Sequence, residues 1–304
     1  MKRLLDCDSS DLVSMTKQDK LNAIYASEGR ITIQELSLFS DMQLLEPISD
    51  AELACAFGAD MILFNAFDVF SPKIPGISGS GKELIKKIKL YTGRLIGINL
   101  EPIDEFLDMA IDRKNISMGR IACRETLQKA KELDVDFVVL TGNPSSGVSN
   151  DSIINTLNKT RDIFEDSMIM IAGKMHASGS KTETGRNIIT KVNIEHLADA
   201  GANVILVPAA GTIPGLTLEI VKDFIQDIHD SNLLALTAIG TSQEGADKDT
   251  IRQLALMSKM AGADLHHIGD AGVGGMDLEN LLAYNIAIKG KRHTYMRMAR
   301  SVNR

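Results

Sequence analysis

Eight short apolar runs, each followed by an amphipathic stretch, constrain this chain more than any other feature. They are Arg30-ITIQE, Ala59-DMILFN, Arg94-LIGINLE, Val135-DFVVLTGN, Met168-IMIAGKM, Ala202-NVILVP, Leu233-LALTAIG and Ala263-DLHHIGD. Each is too short for a helix and rich in Ile, Val or Leu, as a strand buried on both faces is. They recur mostly at about 30 to 40 residues, the length of a βαβ unit. Strict alternation builds either a closed barrel or a long open sheet, and a count of eight favours the barrel. The expected fold is a (β/α)8 TIM barrel over residues 29–304, with a short N-terminal helical extension, residues 1–28, capping it. Thr16-x-x-Asp19 is a capping box for a helix in that extension, which is expected to plug the N-terminal end of the barrel.

Helix starts are expected after Ser49-Asp50, Ser80, Ser117, Ser149, Asn193, Thr217, Asp247 and Asp277. Three near-identical phrases carry Gly58, Gly201 and Gly262, which are expected to close helices as left-handed caps. The stretch from Lys291 onward reads as a basic helix turned to solvent.

Strand parity points to the mouth of the barrel. Large aliphatics are expected to face the helices and small or polar residues the interior. In the third run Gly97, Asn99 and Glu101 then share the inward row. In the fifth run the same rule gives Met170, Ala172, Lys174 and His176. Polar groups also gather where other runs end: Asn65 and Asp68 after the second, Asn143 after the fourth, and His266, His267 and Asp270 in and after the eighth. Adjacent histidines on a strand point oppositely, and the sequence does not say which of the two faces inward.

Catalytic sites of such barrels lie at the C-terminal strand ends. Lys174, Glu101, His176 and Asp270 are therefore the expected catalytic set. Lys174 would form a Schiff base or polarise a carbonyl, which requires it to lose its proton in a partly desolvated mouth. Glu101 or His176 would move the proton. The structural alternative is a Lys174–Glu101 salt bridge that fills the barrel top. A divalent metal, Mg or Mn, is the one cofactor considered, with Glu101, Asp68, Asp270 and His267 as ligands; no organic cofactor is indicated.

The loops after the seventh and eighth runs, Gly240-Thr241-Ser242 and Gly272-x-Gly274-Gly275, stand where barrels commonly bind phosphate. With Asn65, Asn99 and Asn143 they form the expected substrate-binding set, and the Gly/Pro/Ser-rich stretch 71–82 is the lid candidate. Two motif fragments lack their context: Asp6-Cys-Asp8-Ser-Ser10 precedes the whole barrel pattern, and Gly76-ISGSGK has no following Ser or Thr.

The formal net charge is −7, against a nucleic-acid-binding face. The uncharged window Ala200–Leu218 is interrupted by Pro208, Gly211, Pro214 and Gly215, so it reads as strand and loop and not as a membrane span. The three cysteines, Cys7, Cys55 and Cys123, suggest no disulfide framework, and a cytoplasmic protein without a secretion signal is expected.

The segment Ala238-IGTSQEGADKDTIRQLALMSKMAGADLHHIGDAG, with Ile171-AGKMHASG and Pro208-AAGTIPG, resembles a group of uncharacterised bacterial barrels. These stand beside sugar-phosphotransferase genes and are labelled phosphoenolpyruvate-mutase-like or dehalogenase-like. The broader likeness is to phosphate-binding barrels, among them the phosphoenolpyruvate mutase and isocitrate lyase group. That likeness implies Mg held by acidic residues at strand ends, with Asp68 and Glu101 in that place, and a mobile catalytic loop. The expected function is a lyase or isomerase acting on a small phosphorylated sugar or keto acid by carbonyl or enolate chemistry. The alternative is a non-catalytic barrel that senses a phosphosugar and binds a protein partner. A homo-oligomer is expected, with no nucleic acid and no membrane.

Overall fold

A computed structural model describes residues 2–271 and 275–304. Eight parallel strands close into a barrel in sequence order: β1 (Ile31–Ser37), β2 (Met61–Asn65), β3 (Leu95–Leu100), β4 (Phe137–Leu140), β5 (Ile169–Gly173), β6 (Val204–Pro208), β7 (Leu234–Ile239) and β8 (Leu265–Ile268). Closure comes from the β1–β8 ladder, in which Ile31 pairs with Leu265 and Ile33 with His267. The expected TIM barrel is the fold of this chain.

Among the described residues, ten helices flank the strands: α1 (Ser9–Ser14), α2 (Lys17–Tyr25), α3 (Asp50–Ala56), α4 (Gly81–Thr92), α5 (Arg124–Leu133), α6 (Asn150–Phe164), α7 (Lys191–Asp199), α8 (Leu218–Asp230), α9 (Lys248–Ala261) and α10 (Leu278–Ala299, interrupted at Gly290). Ser49, Ser149, Thr217, Asp247 and Asp277 cap their helices by accepting from first-turn N–H groups. Two starts differ from expectation. The helix placed after Ser117 begins at Arg124, because Met118–Arg120 forms a 3-10 turn and residues 119–122 run beside the end of β3. The helix placed after Asn193 begins at Lys191; Thr190 is its cap, and Asn193 completes the capping box from the third position.

The core has two layers. Between sheet and helices lie Ile62, Ile96, Ile98, Val138, Met170, Ala172, Ile205 and Val207. Inside the barrel, Ile31, Met61, Leu95, Phe137, Ile169, Val204 and Leu265 pack with Leu4, Leu5, Ala23 and Ile24 of the N-terminal segment. That segment thus covers the N-terminal strand ends with apolar side chains. Its capping box is present, with Thr16 and Asp19 bonding each other's backbone. Interior glycine makes room for interior aromatic: a Cβ on Gly97 would come within 2.3 Å of the Phe137 ring. Gly97→Ala is therefore expected to destabilise the barrel by about 1–3 kcal/mol, read by chemical denaturation.

The inward rows grade along the axis. Large aliphatics fill the N-terminal half, and Glu35, Asn65, Asn99 and Thr141 stand at the C-terminal end. This gradient overturns the parity assigned to β5. Its inward row is Ile169, Ile171 and Met175, while Met170 and Ala172 face the helices and Lys174 reaches Val148 and Glu183. The C-terminal stretch is also not simply solvated, because Arg297 is 1% exposed and ion-paired with Asp60.

Candidate active site

The C-terminal strand ends enclose a cavity of about 950 Å³. Its walls carry Glu35, Asn65, Asn99, Arg120, His176 and Glu244, joined by Lys114, Thr141, Asn143, Gly240, Thr241, Ser242 and Asp270. Of the residues expected from sequence, His176, Asp270, all three asparagines and the 240–242 turn therefore meet at one place. The mouth also concentrates non-glycine residues with left-handed backbone: Ala66, Ser145, Ser178 and Ser242 follow β2, β4, β5 and β7. Such conformations cost of order 1 kcal/mol each and gather where surrounding structure fixes a functional geometry.

The asparagines form one network. Asn65 Nδ2 donates to Glu35 Oε1 at 2.7 Å and to Asn143 Oδ1 at 2.7 Å. Asn65 Oδ1 accepts from Asn99 Nδ2 at 3.2 Å, from Asn143 Nδ2 at 3.0 Å and from the Ala66 N–H at 2.7 Å. Each amide holds its neighbour's rotamer. Two oxygens of cavity-lining residues, Asn99 Oδ1 and Thr141 Oγ1, are buried without a partner.

Glu35 and Glu244 share the cavity but differ in charge state. Burial pushes the Glu35 carboxyl up, yet hydrogen bonds from His267 and Asn65 outweigh it and hold the group below its usual range. His267 Nε2 lies 2.7 Å from Glu35 Oε2. Glu244 lacks such donors. Burial pushes its carboxyl up to about 7, with Asp270 and Glu35 adding repulsion, and its Oε2 has no partner. Two carboxylates driven apart in this way are the usual signature of an acid/base site.

His176 follows β5 and reaches the mouth although its strand parity differs from that expected. Burial lowers its imidazole to about 4, so the ring is neutral near pH 7. Its Nδ1 accepts from the Ser178 N–H at 3.0 Å, which assigns the ring proton to Nε2. His176 is thus a donor facing the cavity, not a base.

Four expected catalytic or metal-binding residues take other positions. Lys174 does not line the cavity: its Nζ is buried against Glu183 Oε2 at 2.6 Å and the Val148 carbonyl at 2.9 Å. Glu101 is buried behind the wall, binding Arg120 at 2.7 Å and the Asn143 N–H at 2.9 Å, so neither it nor Lys174 makes the salt bridge considered from sequence. Asp68 accepts from the Phe70 and Ser71 N–H groups in a turn outside the cavity. His267 sits beneath the mouth on Glu35, while His266 faces outward onto the Gly29 carbonyl at 3.0 Å. Among the described residues, no three His, Cys, Asp or Glu side chains are gathered to hold a metal ion. The expected ligand set does not fit a divalent ion.

The glycine loops are partly accounted for. Gly240 lines the cavity, but a Cβ there would lie 2.2 Å from Met175 Sδ, so packing alone requires glycine. Gly275 lies outside the cavity, and its carbonyl accepts from the Ala271 N–H at 2.8 Å. Gly272 and Gly274 lie outside the described residues. The 71–82 stretch contributes nothing to the cavity; the covering segment is 111–116, tied down by Ala110 N–H to Gly179 O and Lys114 N–H to Ser145 O, both at 2.9 Å.

Sequence reasoning missed Glu35, Arg120 and Glu244. Arg120 bonds Glu101 and stacks over the Phe39 ring at 4.9 Å. Glu35 ends the inward row of β1, a signal hidden because Ile31 and Ile33 are the large aliphatics expected to face helices. Glu244 was visible only as a member of the Gly240–Gly245 turn.

Solved structures with this fold include an archaeal fructose 1,6-bisphosphate aldolase, at 14% identity and TM-score 0.58 over 90% of this chain and 99% of that one. A 2,3-dimethylmalate lyase of the PEP mutase/isocitrate lyase superfamily gives 13% identity and TM-score 0.52, covering 86% and 83% of the two chains. The carboxyl transferase domain of Rhizobium etli pyruvate carboxylase gives 12% and 0.53, covering 97% of this chain and 53% of that one. At these identities the likeness is one of fold. No curated protein matches the sequence. Among the described residues no helix is long and apolar enough to cross a membrane. Residues 5–304 match a domain of unknown function, DUF7916, and the chain belongs to that family.

Proposed function

We propose that this chain is a lyase or isomerase that moves a proton beside the carbonyl of a small anionic keto acid or phosphorylated sugar. The observation that carries this reading is Glu244, a cavity carboxyl raised to about 7 with an unpartnered oxygen. A general acid/base works best with a pKa near the operating pH.

In the enolising direction, a Glu244 oxygen takes the proton from the carbon beside the carbonyl. The C–H electron pair becomes the carbon–carbon double bond, and the carbonyl pair moves to oxygen. The His176 Nε2–H donates to that developing oxyanion. Glu35, kept ionised by His267 and Asn65, orients the amide network. Arg120 and Lys114 hold the anionic group. Protonation of the enolate, or its attack on a second carbonyl, completes an isomerase or a lyase run in reverse.

The test is exchange of the protons beside the keto group of pyruvate and larger keto acids in D2O, followed by NMR. Exchange that requires Glu244 supports the reading. No exchange with any of them removes it and leaves a sensing barrel. Borohydride added to the same mixtures is expected to leave the chain mass unchanged, because Lys174 is buried in its pair with Glu183. An adduct on Lys174 or Lys114 would restore the imine route.

A further inference from the structure

We propose that the cavity takes an unphosphorylated, polyhydroxylated 2-keto carboxylate, a sugar acid, with its carboxylate at Arg120 and its hydroxyls on the Asn99–Thr141 wall. The proposal rests on the carbonyl reading above and names the substrate class for that same site.

Charge is the first argument. Two cations, Lys114 and Arg120, line the cavity against three carboxylates, Glu35, Glu244 and Asp270. Arg120 is already shared with the buried Glu101. Between Ala271 and Gly275 the sequence reads Gly272, Val273 and Gly274, which carry no charged side chain. The acids also have a side. Glu244 follows β7, Asp270 follows β8 and Glu35 stands in the C-terminal half of β1, and these strands are consecutive around the closed barrel. Arg120 is tied to the end of β3, across the ring. The loops after β7 and β8, where barrels commonly hold phosphate, here bring two carboxylates into the cavity. A phosphate dianion would meet repulsion there. A carboxylate adds one negative charge where a phosphate dianion adds two, and Arg120 lies across the ring from the three acids.

Unmet hydrogen bonds are the second argument. Thr141 is 2% exposed and Asn99 is 4% exposed, yet Thr141 Oγ1 and Asn99 Oδ1 have no partner, and neither does Arg120 Nε. Buried polar atoms are almost always satisfied, so a set left open on one wall marks where a ligand supplies the other half. The bond to Asn65 Oδ1 fixes the Asn99 amide before a ligand arrives and leaves its oxygen as the unmet half. A threonine hydroxyl beside an amide oxygen matches successive hydroxyls on a carbon chain, and an aliphatic chain would leave both unpaired.

The test is calorimetric titration of the intact chain with 2-keto-D-gluconate, its 6-phosphate and 2-ketohexanoate. The hydroxylated acid is expected to bind, the phosphate ester at least about tenfold more weakly, and 2-ketohexanoate at least about 100-fold more weakly. Thr141→Val is expected to narrow the gap between the first and third by about tenfold. Tighter binding of the phosphate ester, equal binding of 2-ketohexanoate, or no binding of 2-keto-D-gluconate overturns the proposal. Proton exchange followed on the same compounds separates the two readings. Binding of 2-keto-D-gluconate without exchange keeps the substrate class and removes the proton transfer. Tighter binding and exchange confined to the phosphate ester do the reverse.

Discussion

Glu244→Gln is expected to lower kcat for proton exchange by about 10²- to 10⁴-fold, the usual contribution of a positioned acid/base. Glutamine keeps the size of the side chain but cannot carry the proton. KM is expected to change little, since Arg120 and the amide network still hold the substrate. In the enolising direction Glu244 must be ionised to accept the proton. The parent's kcat/KM should therefore rise with pH and level off above about 7, where burial has set this carboxyl. The variant should lack that limb. A variant within tenfold of the parent, or one that keeps the limb, would remove Glu244 from the reaction.

The same substitution should stabilise the fold. Glu244 titrates near 4.5 in the unfolded chain and near 7 in the folded one. Between those values the folded chain holds a proton that the unfolded chain has released. Stability therefore falls as pH rises across that window and stays lowered above it. Glutamine removes the penalty, so the variant should be more stable at pH 8 by up to about 3 kcal/mol, with the gain fading toward pH 4.5. Thermal denaturation of both proteins from pH 4.5 to 8.5 reads this directly. Opposite movement of activity and stability is what a strained catalytic carboxyl produces.

The strands were legible because a strand buried on both faces is a run of Ile, Val and Leu whatever its neighbours do. The site was legible in part, and the failures share one cause. Side-chain size is the parity signal a sequence offers, and it sends large aliphatics outward. That rule holds for β3, where Gly97 faces inward to make room for Phe137. It fails for β5, because the lower interior is itself filled by Ile169 and Ile171. Size alone therefore turns Lys174 into the mouth and hides Glu35. The asparagines were found because amides at strand ends are rare enough to stand out one by one. Arg120 could not be found from local pattern: it reaches the cavity only because residues 119–122 run beside Glu101. Glu244 depends on burial of a turn by distant loops, which no window of sequence reports.

Asp60→Asn is expected to produce the largest loss of stability in this chain, far from the mouth. Asp60 is fully buried and meets two cations of α10: Lys289 Nζ on one oxygen and Arg297 Nε on the other at 2.8 Å. The Thr32 N–H also donates to it at 3.0 Å, and Arg297 reaches the Cys7 carbonyl at 3.2 Å. The cluster therefore joins β1, the start of β2, the N-terminal segment and α10. Burial opposes the charge on Asp60, but Lys289 and Arg297 outweigh it and keep the carboxyl below its usual range. Burial lowers Lys289 to about 8 despite Asp60, so it remains protonated at pH 7. Removing the carboxylate leaves two buried cations uncompensated, which costs about 3–5 kcal/mol and lowers Tm by on the order of 10 °C. The pH profile distinguishes this cause from ordinary misfit. Without Asp60, Lys289 sheds its proton on folding, and the unfolded chain then binds one proton more. The variant's stability should rise by about 1.4 kcal/mol per pH unit from neutral pH upward. In the parent, Lys289 adds no such slope until it titrates near 8. The gap should also shrink in acid, below the range where an ordinary aspartate ionises, because a carboxyl held low in the fold loses its stabilising effect as pH falls toward its lowered pKa. Replacing the trio together, as Asp60→Leu with Lys289→Met and Arg297→Leu, should restore much of the loss, because no charge is then stranded. A single variant that loses under 1 kcal/mol, or whose deficit is independent of pH, would show that the cluster is a solvated latch and not a buried charge balance.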